Sequence, residues 1–194
     1  MKKDILKNEQ SLKTDLNTSD FLWKIINRFD FYMGSTNTKA TVVVAFNTFV
    51  FSAIILKWRE LLPFFGEHRT AIFVANILMI IAAMASLASL TVTYFVINPY
   101  LKSPKIPTSY HSKLFFGHVS EFIKPEEYHE CVKACNDEEW VKDLCFQAHA
   151  LADGLANKFK LMKLAILIIL WGQLLPLALI LLIKLSTIII DASK

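Results

Sequence analysis

The sequence predicts an all-α integral membrane protein with three transmembrane helices, juxtamembrane helices and a small cytosolic helical region, the N-terminus inside and the C-terminus outside. Three observations predict it. Ala40 to Leu56 is free of charge for 17 positions, Thr70 to Leu101 for 32 and Leu164 to Ile183 for 20. A helix needs about 20 mostly apolar residues to cross a bilayer core of about 30 Å. The segments between these runs carry nearly all the charge, and Lys and Arg are unevenly divided among them: sixteen lie before the first run or between the second and third, against five in the other two segments. Counting only residues close to the spans leaves nine against five, the same sign, and the positive-inside rule then places residues 1–39 and 99–163 in the cytosol. With 194 residues, 54% of them hydrophobic, and a mean hydropathy of +0.41, the chain has no room for a large soluble enzyme on a membrane anchor.

Four segments follow in order: a cytosolic amphipathic region over 1–39, two spans with a short external loop over 40–98, a cytosolic helical region over 99–163, and a third span with a short external tail over 164–194. Charges recur every few positions before residue 33, without an apolar core or small-residue cleavage site, so no removable signal peptide is expected. Ser19-Asp20 reads as a helix start, and Leu22, Ile25, Ile26, Phe29, Tyr32 and Met33 recur at helical spacing, with a possible kink at Gly34-Ser35 before the first span. Leu61 to Phe65 makes an apolar turn at the outer interface. The second span stops at Asn98-Pro99, and Pro104 and Pro107 hold the chain extended after it. The 32-residue run is too short for two crossings and a turn, so it counts as one helix.

In the cytosolic insert, Leu114-Phe115-Phe116-Gly117-His118 is an apolar cluster too short to assign. Pro125 with Glu126 and Glu127 opens a helix reaching about Cys135, because Pro is tolerated at the first helical position and acids favour the positive helix end. Asn136 followed by Asp137, Glu138 and Glu139 starts another. Its stripe of Val141, Leu144, Cys145, Ala148, Leu151, Ala152, Leu155, Phe159 and Met162 continues into the third span with no Pro before Pro176, forming a rod of some 50 residues.

Within the spans, Asn47 and Gln173 share a depth at which an unpaired amide is costly; they either bond between helices or line a pore and set oligomer contacts. Ala82 with Ser86, and Ala85 with Ser89, give the four-residue small-small spacing that lets backbones approach, within one molecule or between copies; a homo-oligomer is expected. Cys131, Cys135 and Cys145 lie in the predicted cytosolic part, where reduced thiols are the rule. With His149 they present a conceivable but non-standard zinc spacing, and the same cysteines suit buried small apolar positions, so no metal is assigned. There is no Gly-rich phosphate loop, no His-Glu-Xaa-Xaa-His and no nucleophile elbow; no catalytic residue, no enzyme activity and no cofactor is expected. The charge of +4 is spread over mixed-sign segments with no basic block, so it reads as topology and not as a nucleic-acid site.

Arg28 is the single cytosolic arginine. A phosphate-bearing ligand favours its planar fork, with Lys39 and Lys158 as point charges near the membrane surface; the plainer alternative pairs Arg28 with Asp30 or a lipid headgroup.

The blocks Arg28-Phe-Asp30-Phe-Tyr32, Asn37-Thr-Lys39-Ala40, Phe115-Phe116-Gly117-His118-Val119, Asp143-Leu144 with Gln147, Leu151-Ala152 and Asn157-Lys158-Phe159, in this order and membrane context, resemble the transmembrane effector family of bacterial Pycsar antiviral systems. In that family an acidic residue often precedes the Thr-Lys-Ala step, where this chain has Asn37. The resemblance implies a multi-pass inner-membrane protein that receives a cyclic pyrimidine mononucleotide, cCMP or cUMP, from a phage-triggered cyclase and then compromises the membrane, ending in growth arrest or death. On that basis Arg28 or Lys158, with Lys39, would meet the phosphate, Phe116 and the His118 turn would shape or stack the pocket, and Gln147 or Asn157 would meet base or ribose. Competing readings are a ligand-independent, holin-like pore and a membrane scaffold that docks a partner protein.

Overall fold

The computed structural model of the chain describes residues 2–61, 65, 68–98 and 111–192, with side chains from Thr18 onward. All regular structure among them is helical: α1 (Lys2–Leu61), α2 (Arg69–Ile97), α3 (Phe116–Val119), α4 (Pro125–Lys133), α5 (Asp137–Ile168), a π-helical turn (Ile169–Leu174) and α6 (Leu175–Ala192). Three helical stretches, Thr18–Glu60, Arg69–Ile97 and Asp137–Ala192, are long and apolar enough to cross a membrane. The predicted extended segment at Pro104 and Pro107, and Leu62 to Phe64 of the predicted outer turn, lie outside the described residues.

Two expectations about α1 need correction. The helix starts at Lys2 instead of Ser19, since the intervening Lys, Leu, Gln and Glu are good helix formers and no Gly or Pro interrupts them. It also runs unbroken through Gly34, where a Cβ would meet nothing within 4 Å.

The chain divides into two compact units. One comprises residues 1–34 and 99–157, the other 35–98 and 158–194. In the first, Leu22 and Ile26 of α1 bury against Leu144 and Ala148 of α5, with Ile25, Leu114, Trp140, Val141 and Leu151 packed around them. The local signals hold: Pro125 opens α4 with Glu126 and Glu127 in its first turn, and Asn136 caps α5 by accepting the Glu139 N–H at 2.8 Å. Part of the predicted α5 stripe does not: Cys145 and Phe159 are exposed, because a stripe drawn that wide exceeds the face that α1 covers.

In the second unit, the buried positions of α2 are Ala75, Met79, Ala82, Ala83, Ser86, Ser89, Thr93 and Val96, spaced by threes and fours along one face. Small residues there let neighbouring helices approach. Ile54 of α1 and Leu177 of α6 pack against Ala82 and Ala83. Outward-facing positions are large and apolar: Phe46, Phe49, Phe73, Ile80, Met84 and Leu181 are all exposed. A core of Ala, Ser and Asn inside a coat of Phe, Ile and Leu is the polarity of a bundle solvated by lipid.

The π turn has a local cause. Pro176 lacks an N–H and its ring crowds the carbonyl four residues earlier, at Gly172, so the helix widens there before α6 resumes. Gly172 is required by a second constraint: a Cβ built on it would lie 2.7 Å from Ala85 Cβ, so α2 and the π turn approach as closely as two small residues permit.

Candidate functional site

The first unit places a dense polar cluster against the inner face of α5. Asp143 is fully buried, and its Oδ2 accepts the Lys113 backbone N–H at 2.7 Å. That bond pins a turn built on Ser112, whose Oγ accepts the N–H groups of Leu114 at 3.2 Å and Phe115 at 2.9 Å. The Ser112 N–H in turn donates to His118 Nδ1 at 3.0 Å, which puts the His118 proton on Nε2. From α4, the Tyr128 hydroxyl donates to the Lys113 carbonyl at 2.9 Å. Five backbone groups of one loop are therefore held by side chains, which compensates for its lack of regular structure.

Lys113 itself reaches Glu139 at 2.9 Å. Burial, the largest single influence, disfavours its charged form, yet the hydrogen bonds and charges of Glu139 and Cys135 together outweigh it and raise the ammonium pKa above the ordinary lysine value. The aromatic rings of Phe115 and Phe116 lie 4.9 Å apart, and Phe116 stands exposed. Gly117 keeps the turn tight, since a Cβ there would press the Phe115 ring at 2.5 Å. Two buried oxygens in this unit have no hydrogen-bond partner, Asp143 Oδ1 and Gln147 Oε1.

The residues singled out from sequence fall in both units. Arg28, Phe116, His118, Gln147 and Asn157 belong to the first, Lys39 and Lys158 to the second. Arg28 is exposed and lies along α1, its Nε donating to the Tyr32 hydroxyl at 2.9 Å with the guanidinium carbon 5.5 Å from the ring centre. Tyr32 thus takes the place expected for Asp30, because residues four apart on a helix face each other and residues two apart do not. Gln147 is half-buried; Asn157 and Lys39 are exposed. Lys158 is buried, and its Nζ donates to Asn37 Oδ1 at 3.0 Å and to the Val96 carbonyl. A cation on the last turn of α2 meets the negative end of that helix.

Deeper in the second unit the polar residues pair across helices. Asn47 Nδ2 donates to Ser89 Oγ at 3.0 Å, and Ser89 Oγ to the Ala165 carbonyl at 3.2 Å. Gln173 Nε2 donates to Ser86 Oγ at 2.8 Å, and Ser86 Oγ to the Ala82 carbonyl at 3.0 Å. The other amide oxygens, Asn47 Oδ1 and Gln173 Oε1, are buried without a partner. Trp58 Nε1 donates to Asn76 Oδ1 at 3.1 Å, and His68 meets Asp191 at 3.2 Å. The small residues Ala82 and Ser86 are thus occupied within one molecule.

Cys131 and Cys135 are half-buried and Cys145 is exposed, all free thiols. Among the described residues no three His, Cys, Asp or Glu side chains gather as metal ligands. Ser112, Lys113 and Tyr128 carry no signal in the sequence that marks them as a cluster; Asp143 and Gln147 are visible there only as part of a block that carries the family resemblance and as polar interruptions of the apolar stripe beside Leu144 and Ala148.

A family model described as the Pycsar effector protein domain matches residues 21–185. No curated protein and no solved structure matches the chain. That domain is a transmembrane effector domain and not a known catalytic family. The match runs across all three candidate spans and the polar cluster, and the chain therefore belongs to the Pycsar effector family, membrane proteins of antiviral defence tied to cyclic-nucleotide signalling.

Proposed function

We propose that this chain is the gated, membrane-breaching arm of its defence system. A cyclic pyrimidine mononucleotide, cCMP or cUMP, binds on the cytosolic side, and the bacterial inner membrane then loses integrity, ending in growth arrest or death of the infected cell. The observation that carries this reading is the family match over residues 21–185 of a chain with three candidate spans.

The distribution of Lys and Arg supports an N-terminus inside and a C-terminus outside, which puts residues 1–39 and 99–163 in the cytosol. The helices α1 and α5 continue without interruption from those polar segments into apolar ones, so a ligand among the former can act on the latter. It does so only through different affinities for the resting and breaching arrangements. Within the first unit, Arg28 supplies a cation for the phosphate; exposed Phe116 offers a stacking face on the turn that carries His118; Gln147 and Asn157 offer amides to base or ribose. The small number of spans favours a homo-oligomer as the breaching species.

Titration of the full-length protein in detergent with cCMP, cUMP and cAMP tests the binding step. Saturable binding of a pyrimidine nucleotide, weakened in Arg28→Ala, is expected. Absence of binding by either pyrimidine nucleotide contradicts the proposal, and unchanged affinity in Arg28→Ala removes that residue from the phosphate.

A further inference from the structure

We infer that Asp143 and Gln147 form the base-reading edge of the nucleotide site and select a pyrimidine bearing an exocyclic amino group over one bearing a carbonyl at that position. The inference rests on the cyclic-nucleotide reading above. Both residues project from α5 one turn apart, with Cβ atoms about 5–6 Å from each other by helix geometry. Asp143 is fully buried; one of its oxygens is held by the Lys113 N–H at 2.7 Å, and Oδ1 has no partner. Gln147 Oε1 is equally enclosed and equally unpartnered, although the residue as a whole remains half-buried.

Two buried, unpaired acceptors call for a donor with two N–H bonds, because a buried acceptor that finds none is costly. The amino group of cytosine has two such bonds, and carboxylates are its usual acceptors. Uracil places a carbonyl oxygen there, which would face the carboxylate acceptor to acceptor. Gln147 can turn its amide to suit either base, whereas a carboxylate offers acceptors only, so the discrimination is assigned to Asp143. The same Ser112 turn that Asp143 pins also carries Phe115 and Phe116, which provides an aromatic face on the segment adjoining the acceptor edge.

The test is calorimetric titration of the full-length protein in detergent with cCMP and cUMP, for wild type, Asp143→Asn and Gln147→Ala. Wild type should prefer cCMP by about tenfold or more. Asp143→Asn keeps an oxygen for the Lys113 N–H and turns an NH₂ toward the ligand; it should lose about tenfold in cCMP affinity while holding or gaining cUMP. Gln147→Ala, a variant that leaves the pinned turn intact, should lose about fivefold or more for cCMP, which keeps the inference testable if Asp143→Asn fails to fold. Equal affinities in wild type, or full cCMP affinity in either variant, overturn the inference and leave an internal water as the occupant of the pair. Binding of neither nucleotide by wild type defeats the underlying functional reading instead.

Discussion

Lys158 illustrates how a single side chain can be read correctly for charge and still conceal its partners. Its position six residues before the third apolar run marks it as a cation near the membrane surface, but only the fold brings the end of α2 and Asn37 of α1 to it. Lys158→Met keeps the stem and leaves Asn37 Oδ1 and the Val96 carbonyl without their donor, so melting of the detergent-solubilised protein should report a loss of about 1–3 kcal/mol. Unchanged stability would mean that water replaces the ammonium freely. Arg28 is the converse: its exposure follows from a polar helix face, and its Tyr32 partner follows from four-residue spacing that a search for opposite charges overlooks. The burial of Asp143 has no signal in the sequence, because an acid in an amphipathic helix is ordinarily solvated and only the fold brings the Lys113 N–H to it.

Helices that span lipid announce themselves by length and composition, and the three stretches follow the three uncharged runs. What composition does not reveal is the shape of the third. Pro176 is visible in the sequence, but the widened turn it causes, and the approach of Ala85 to Gly172, depend on packing between helices far apart in the chain. Replacing Gly172 by Val should force α2 away at a cost of about 1–3 kcal/mol, and Ala85→Gly in the same protein should recover a large part of it. A melting series in which Gly172→Val is silent would contradict the close approach. The amide pairs obey a different rule. Ser86→Ala alone strands Gln173 and should cost about 1–3 kcal/mol, whereas Ser86→Ala with Gln173→Leu removes donor and acceptor together and should be close to neutral. Additive losses would show that the pair is not coupled.

At the level of the complete chain, three candidate spans stand beside a more polar helical unit in the sequence, and α1 and α5 each contribute residues to both units. The helical class and the three candidate spans are legible because the bilayer admits few solutions; the division into two units is not, since it follows from contacts between residues far apart in the chain. Orientation has a direct check in Cys145, which is free and exposed. A membrane-impermeant maleimide applied to intact spheroplasts should leave it unlabelled and should label it after permeabilisation; labelling of intact spheroplasts would reverse the topology. The coupling of ligand to membrane is tested most directly by dye release from lipid vesicles carrying the purified full-length protein. Release that begins only after cCMP or cUMP is added to the face bearing residues 99–163 is the predicted result. Release without nucleotide, or sealed vesicles at nucleotide concentrations that saturate binding, would contradict it.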